Sequence, residues 1–152
     1  MKINLVGESF EMTDNTRIAE LPQVPEAKGF DEVVCAALDH PLDLQPLAQW
    51  DLRGKRVAIM VDDWGRPTPC GDFLPSVLDR LNAAGAADDH ITIVTASGMH
   101  DPMDDDRMIA KVGLEAFRRV RCISHDGGNE SMLAFCGVTP MGTPVWVNRY
   151  VA

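Results

Sequence analysis

The sequence has no long apolar run. Its longest, residues 57–61, is far short of the roughly 18 residues that suggest a membrane span. Its start, Met1-Lys2-Ile3-Asn4, lacks the apolar stretch of a secretory signal, so a cytoplasmic location is expected. Cationic residues are few: 14 Lys and Arg stand against 23 Asp and Glu, a net charge of −9. Neutralising phosphates takes clustered Lys and Arg. Only Arg118, Arg119 and Arg121 cluster, and they read as the solvated end of a helix. Neither nucleic acid nor a membrane is an expected partner. The four cysteines, Cys35, Cys70, Cys122 and Cys136, form no CxxC pair, and reduced thiols are expected. Gly127-Gly128 makes neither a dinucleotide fingerprint nor a P-loop. There is no internal repeat and no low-complexity tract.

What is present is an ordinary globular composition, 45% hydrophobic and 24% charged over 152 residues, which excludes disorder. A chain of this length buries roughly 68–70% of its extended-state surface and needs no staples to hold a core. Residues 1–50 read as a lead-in segment. Alternation over residues 2–6 predicts a short strand. Pro22 and Pro25 punctuate a linker. Asp31 is placed to cap a helix carrying Val33, Val34, Ala37 and Leu38, which Pro41 ends. One or two helical turns are expected over residues 44–50.

From residue 56 to 152 strand and helix alternate. Residues 56–61 carry the continuous apolar run that follows Arg56, as expected of a strand covered on both faces. A helix beginning near Gly71 or Asp72 carries Phe73, Leu74, Val77, Leu78 and Leu81 on one stripe, with Gly85 as a left-handed stop. Residues 90–95 form the second strand. Asp104 caps the next helix, Gly113 interrupts it, and residues 120–124 form the third strand. Residues 131–138 and 144–148 suggest two more, joined by a turn at Pro140-Met141-Gly142. This grammar predicts an α/β fold: a mostly parallel sheet with helices on both faces, a Rossmann-like three-layer domain.

Ligands of such sheets bind at the carboxyl ends of the strands. Three polar loops follow the three apolar strands: Asp62-Asp63-Trp64-Gly65-Arg66-Pro67-Thr68-Pro69, Ala96-Ser97-Gly98-Met99-His100-Asp101-Pro102, and Ser124-His125-Asp126-Gly127-Gly128-Asn129. Of the adjacent carboxylates, Asp62 reads equally as a turn residue; one of the pair can contact a ligand while its neighbour holds the loop. Arg66, stiffened by Pro67 and Pro69, offers a rigid fork for a carboxylate or phosphate. Trp64 reads first as a packed lid. His100 is the strongest single candidate, since imidazole is suited to general acid–base work and Ser97-Gly98 permits close approach to a ligand. His125 reads as packing. A metal site made by His100-Asp101 with His125-Asp126 has no recognised spacing. Cys70 at a helix start reads as buried.

The first loop resembles the D-x-T-R-P-T-P loop of the nickel-dependent lactate racemase family, and the second, through Met103, resembles that family's A-x-G-x-H-R-P-M loop. The ending Gly142-Thr143-Pro144-Val145-Trp146-Val147-Asn148-Arg149 agrees as well. The resemblance covers roughly residues 31–152. It implies the amino-terminal domain of a two-domain isomerase that racemises or epimerises a 2-hydroxy acid. Hydride would pass to a nickel pincer nucleotide and back. His100 would be one of two acid–base histidines, Arg66 would grip the substrate carboxylate, and Asp63, Thr68, Ser97 and Gly98 would order the cofactor. Gly65 replaces the family's threonine, and Asp101 replaces its arginine. The family's tethering lysine, nickel-ligating histidine and second acid–base histidine lie downstream of the match. The cofactor-tethering domain is therefore read as absent, to be supplied by further chain or a partner. No metal residue is assigned here, nickel is not expected to bind tightly to this chain alone, and the isolated chain is expected to be inactive. Two alternatives stand beside this reading: a non-catalytic module that binds a nucleotide or small acid with a partner chain, and a purely structural domain.

Overall fold

A computed structural model describes residues 2–5, 7–15, 17 and 29–152. The linker at Pro22 and Pro25 lies outside the described residues, as does Val6 at the end of the first expected strand. That strand, β1 (Lys2–Leu5), pairs antiparallel with β2 (Glu8–Glu11), which the alternation had not announced. Gly7, at φ +83, turns between them.

Helix α1 (Phe30–Asp39) begins two residues earlier than a cap at Asp31 requires. Gly29 takes the cap position without a side-chain bond, and Asp31 and Glu32 instead face the positive end of the helix from its first turn. Leu38 packs on the core. The expected turns over residues 44–50 shrink to a 3-10 turn, Leu47–Gln49, with Leu47 buried.

The central sheet is parallel, in the order β3 (Val57–Asp62), β4 (Ile91–Ala96), β5 (Arg121–Ser124). Two crossovers connect it. Helix α2 (Cys70–Ala83) makes the first; α3 (Asp105–Val112) and α4 (Leu114–Arg119) make the second. Asp104 caps α3 as expected, its Oδ1 accepting the Arg107 amide at 2.9 Å. Gly113, at φ +83, breaks α3 from α4, and Gly85, at φ +104, follows the end of α2.

Both crossovers step the same way across the sheet. Right-handed connections then put their helices on one side. The core agrees: Val61, Ile91 and Ile93 from one sheet face cluster with Leu74, Leu78, Met108, Val112 and Ala116. The α/β class and the parallel sheet are as expected; the helices, expected on both faces, lie among the described residues on one. Strand β3 is correspondingly not covered on both faces. It is an outer strand, and Met60, pointing away from the helices, is 64% exposed. The central strand β4 is the buried one, with Ile91, Ile93 and Thr95 fully enclosed.

The two last strands, β6 (Leu133–Val138) and β7 (Pro144–Asn148), form an antiparallel hairpin around the expected turn. An irregularity between Phe135 and Gly137 shifts the register. Phe135 and Trp146 pack across the hairpin as a tilted pair, with ring centroids 5.1 Å apart.

Candidate functional site

Parallel register decides where the loops go. Asp62 lies opposite Ala96, and Thr95 opposite Ser124, so all three strands end at the same rim. The loops over residues 63–69, 97–104 and 125–129 leave from that rim together.

The first and second loops meet at Asp63 and His100. Asp63 is buried, and its carboxylate bonds Nδ1 of the exposed His100 ring. A carboxylate only accepts, so Nδ1 carries the proton. When the ring is neutral, the lone pair is then on Nε2, the nitrogen that Asp63 does not bond. A hollow of about 570 Å³ opens beside the ring, lined by Trp64, Gly65, Met99, His100, Asp101 and Arg107. Trp64 is not the packed lid expected of it: the ring is 55% exposed, and the Arg107 guanidinium stands 5.1 Å from its centre.

Arg66 lines an adjoining hollow of about 420 Å³, together with Thr68, Lys111 and the shared wall of Trp64 and Arg107. Its amide donates to the Asp63 carbonyl at 3.1 Å. Asp62 and Asp63 divide their work as two neighbouring carboxylates can. Asp63 takes the histidine, while Asp62 accepts from Lys111 Nζ at 2.5 Å and from Thr68 Oγ1 at 2.5 Å. Those two donors, Lys111 first, hold the Asp62 carboxyl below its ordinary range.

Other candidates hold the loops. The Thr68 hydroxyl is committed to Asp62. Ser97 is buried with its Oγ 3.3 Å from Ser124 Oγ, and Ser124 also receives the Met103 amide at 2.8 Å. Gly98, at φ +60, forms the turn closed by the His100 amide on the Ser97 carbonyl at 3.0 Å. His125 is tied to the hairpin, Asn148 Nδ2 lying 3.1 Å from its Nδ1. Cys70 is buried, and that burial pushes its thiol above the ordinary range, with Lys111 pulling the other way. Among the described residues no three His, Cys, Asp or Glu side chains converge as a metal-ligand group, so His100-Asp101 and His125-Asp126 do not assemble one.

Two residues at the site went unremarked in the sequence. Arg107 lines both hollows. Lys111, its side chain 4% exposed, reaches Asp62 and two loop carbonyls. The signal for Lys111 was there: it lies three residues after Met108 and next to Val112, a charge inside the buried stripe of α3.

The sequence matches the lactate racemase N-terminal domain family over residues 7–152. The chain belongs to that family. It is 29% identical over 122 residues to a lactate racemase of Lactiplantibacillus plantarum, covering 80% of this chain and 28% of that protein. With a lactate racemase of Thermoanaerobacterium thermosaccharolyticum it shares 25% over 119 residues, covering 78% of this chain and 28% of the relative. The apoprotein structure of lactate racemase from the latter organism superposes with a TM-score of 0.67 at 26% identity, over 79% of this chain and 28% of the other. A Thermotoga maritima protein shares the fold at a TM-score of 0.54 and 20% identity, over 78% of this chain and 29% of the other. The chain thus spans about 28% of the length of the curated relatives it matches.

Proposed function

We propose that this chain is the amino-terminal half-site of a lactate racemase-like enzyme, the half that handles the hydroxyl proton and the carboxylate of a 2-hydroxy acid. The observation that carries this is the Asp63–His100 pair at the rim of the sheet. Asp63 fixes the imidazole so that Nε2 is the basic nitrogen, and it supports the positive charge the ring acquires on taking a proton. Bound beside His100, the hydroxyl of a 2-hydroxy acid would give its proton to Nε2 and recover it after inversion at C2. Arg66 supplies the fork for the carboxylate. The second reading, a binding module without chemistry, draws on Asp101 in the His100 hollow and on Arg66 lining the adjoining one.

The family resemblance implies that a nickel pincer nucleotide accepts the C2 hydride. Among the described residues no three His, Cys, Asp or Glu side chains converge, so this reading gives the chain no part in holding the metal. This chain's own contribution is proton transfer and anion binding. Its partners, on this reading, are the 2-hydroxy acid and a cofactor-holding domain of the kind its longer relatives have room for.

The test joins the chain to such a domain, in one polypeptide or in trans, and follows the interconversion of lactate enantiomers. His100→Ala should lower the rate by about 100- to 10,000-fold, the usual worth of a positioned acid–base group. Full activity in that variant removes His100 from the mechanism. Calorimetric binding of lactate or nicotinic acid mononucleotide, without turnover in any reconstituted form, favours the binding module.

A further inference from the structure

A buried lysine on a helix next to the site has a role that neither the fold nor the proposed chemistry assigns. The ammonium of Lys111 has three protons to donate. It meets Asp62 Oδ1 at 2.5 Å, the Arg66 carbonyl at 3.0 Å and the Thr68 carbonyl at 3.2 Å. Asp62 in turn accepts the Thr68 hydroxyl at 2.5 Å. The segment 62–68 is therefore gathered around one charge. Asp63, which holds His100, and Arg66, the proposed carboxylate fork, both lie inside it. Pro67 within the segment and Pro69 beyond it have no amide hydrogen, so this stretch has fewer backbone donors of its own. Lys111 supplies them from outside.

Two glycines let the lysine come this close. A Cβ on Gly113 would stand 3.0 Å from Gly71 Cα, and one on Gly71 would stand 3.2 Å from Gly113. The end of α3 thus touches the start of α2 backbone to backbone, which sets Lys111 under the loop that leads into α2.

We propose that Lys111 is the positioning residue of this site: it sets the conformation of residues 62–68 and thereby keeps the Asp63 carboxylate on Nδ1 of His100. The inference uses the Asp63–His100 pair of the proposed function, but it does not depend on any substrate or turnover. Its test reads the histidine directly.

Long-range nitrogen–proton NMR of the isolated chain, at about pH 8.5 where an ordinary histidine is neutral, reports which ring nitrogen of His100 carries the proton. The wild-type ring should show the Nδ1–H form. Lys111→Met keeps the apolar stem and removes the three donors; its two carbonyls lie beside an open hollow and can take water. In that variant the Nδ1–H signature should be lost to the mixture of tautomers of a solvated imidazole. Arg119→Ala, which breaks ion pairs on α4, should leave it unchanged. Should Lys111→Met fail to fold, the Lys111→Met/Asp62→Asn double variant removes both charges and gives the same reading. Retention of the Nδ1–H form in a folded Lys111 variant overturns the proposal, as does its loss in Arg119→Ala. A wild-type ring without that form overturns both the proposal and the proton-handling pair. Absence of racemisation in the reconstituted enzyme, with the NMR as expected, counts against the proposed function alone.

Discussion

Two cations on consecutive helices make the same kind of contact to different ends. Lys111, near the end of α3, is buried and binds one carboxylate and two loop carbonyls. Arg119, at the end of α4, is more open and spreads over Asp79 at 2.7 Å, Asp88 at 3.2 Å, Glu115 at 3.5 Å and the Asn82 amide oxygen at 2.7 Å. It is not the free solvated helix end suggested by its arginine-rich surroundings. Lysine is a compact charge that can be enclosed, whereas arginine's planar fork serves several partners at once. The first shapes a loop that carries site residues. The second joins α4 to α2 and to the turn before β4, where no site residue lies. Charge inside a fold becomes relevant to function through what its partners hold in place.

The strongest way to break this comparison is Asp62→Asn. It leaves Lys111 enclosed without its counter-charge, and an uncompensated interior charge is far costlier than a missing surface pair. Urea unfolding should show a loss of about 2–3 kcal/mol. Arg119→Ala comes next, at about 1–2 kcal/mol by the same measurement, because its partners are partly solvated and rehydrate. A loss from Arg119→Ala larger than that from Asp62→Asn would reverse the ranking.

The smallest effect is a shared one, read as melting temperature against pH. Lys111 and Thr68 hold the Asp62 carboxyl low; Asn82 and then Arg119 do the same for Asp88. A carboxyl whose folded-state value is depressed adds stability above its unfolded value of about 4, and loses it as pH falls through the lower folded value. Both ends should therefore weaken below about pH 4. Asp62→Asn and Asp88→Asn should each flatten part of that acid limb, and an unchanged limb in both would separate these pairs from acid stability.

Much of the fold was legible because its signals are local. Gly85 and Gly113 mark helix ends by the backbone angles they permit, Asp104 caps α3 by a bond to a residue three positions on, and the hairpin turn carries its own glycine. Strand β3 misled, because an apolar run records what its residues tolerate and not how many neighbours they receive. Its outer place in the sheet leaves Met60 in the open. At the site, what the sequence showed was the loop positions of the candidates. Asp63, His100 and Arg66 stood out as polar groups after buried strands. Thr68 and Ser97 entered through the family resemblance, and their hydroxyls bind Asp62 and Ser124. Lys111 was passed over, since a lysine on an amphipathic helix ordinarily reaches water, although its place in the buried stripe of α3 marked it.

From the sequence alone came the order of strands and helices from residue 56 onward, the chain breaks between them and the three polar loops, because propensity, periodicity and capping act within a few residues. Only the tertiary structure decided that Asp63 rather than Asp62 takes the histidine, and that a lysine 49 positions beyond Asp62 closes on it (111 − 62). Those choices depend on parallel register, and on two glycine backbones that touch across α2 and α3, and such distances are set by the packing of the whole chain.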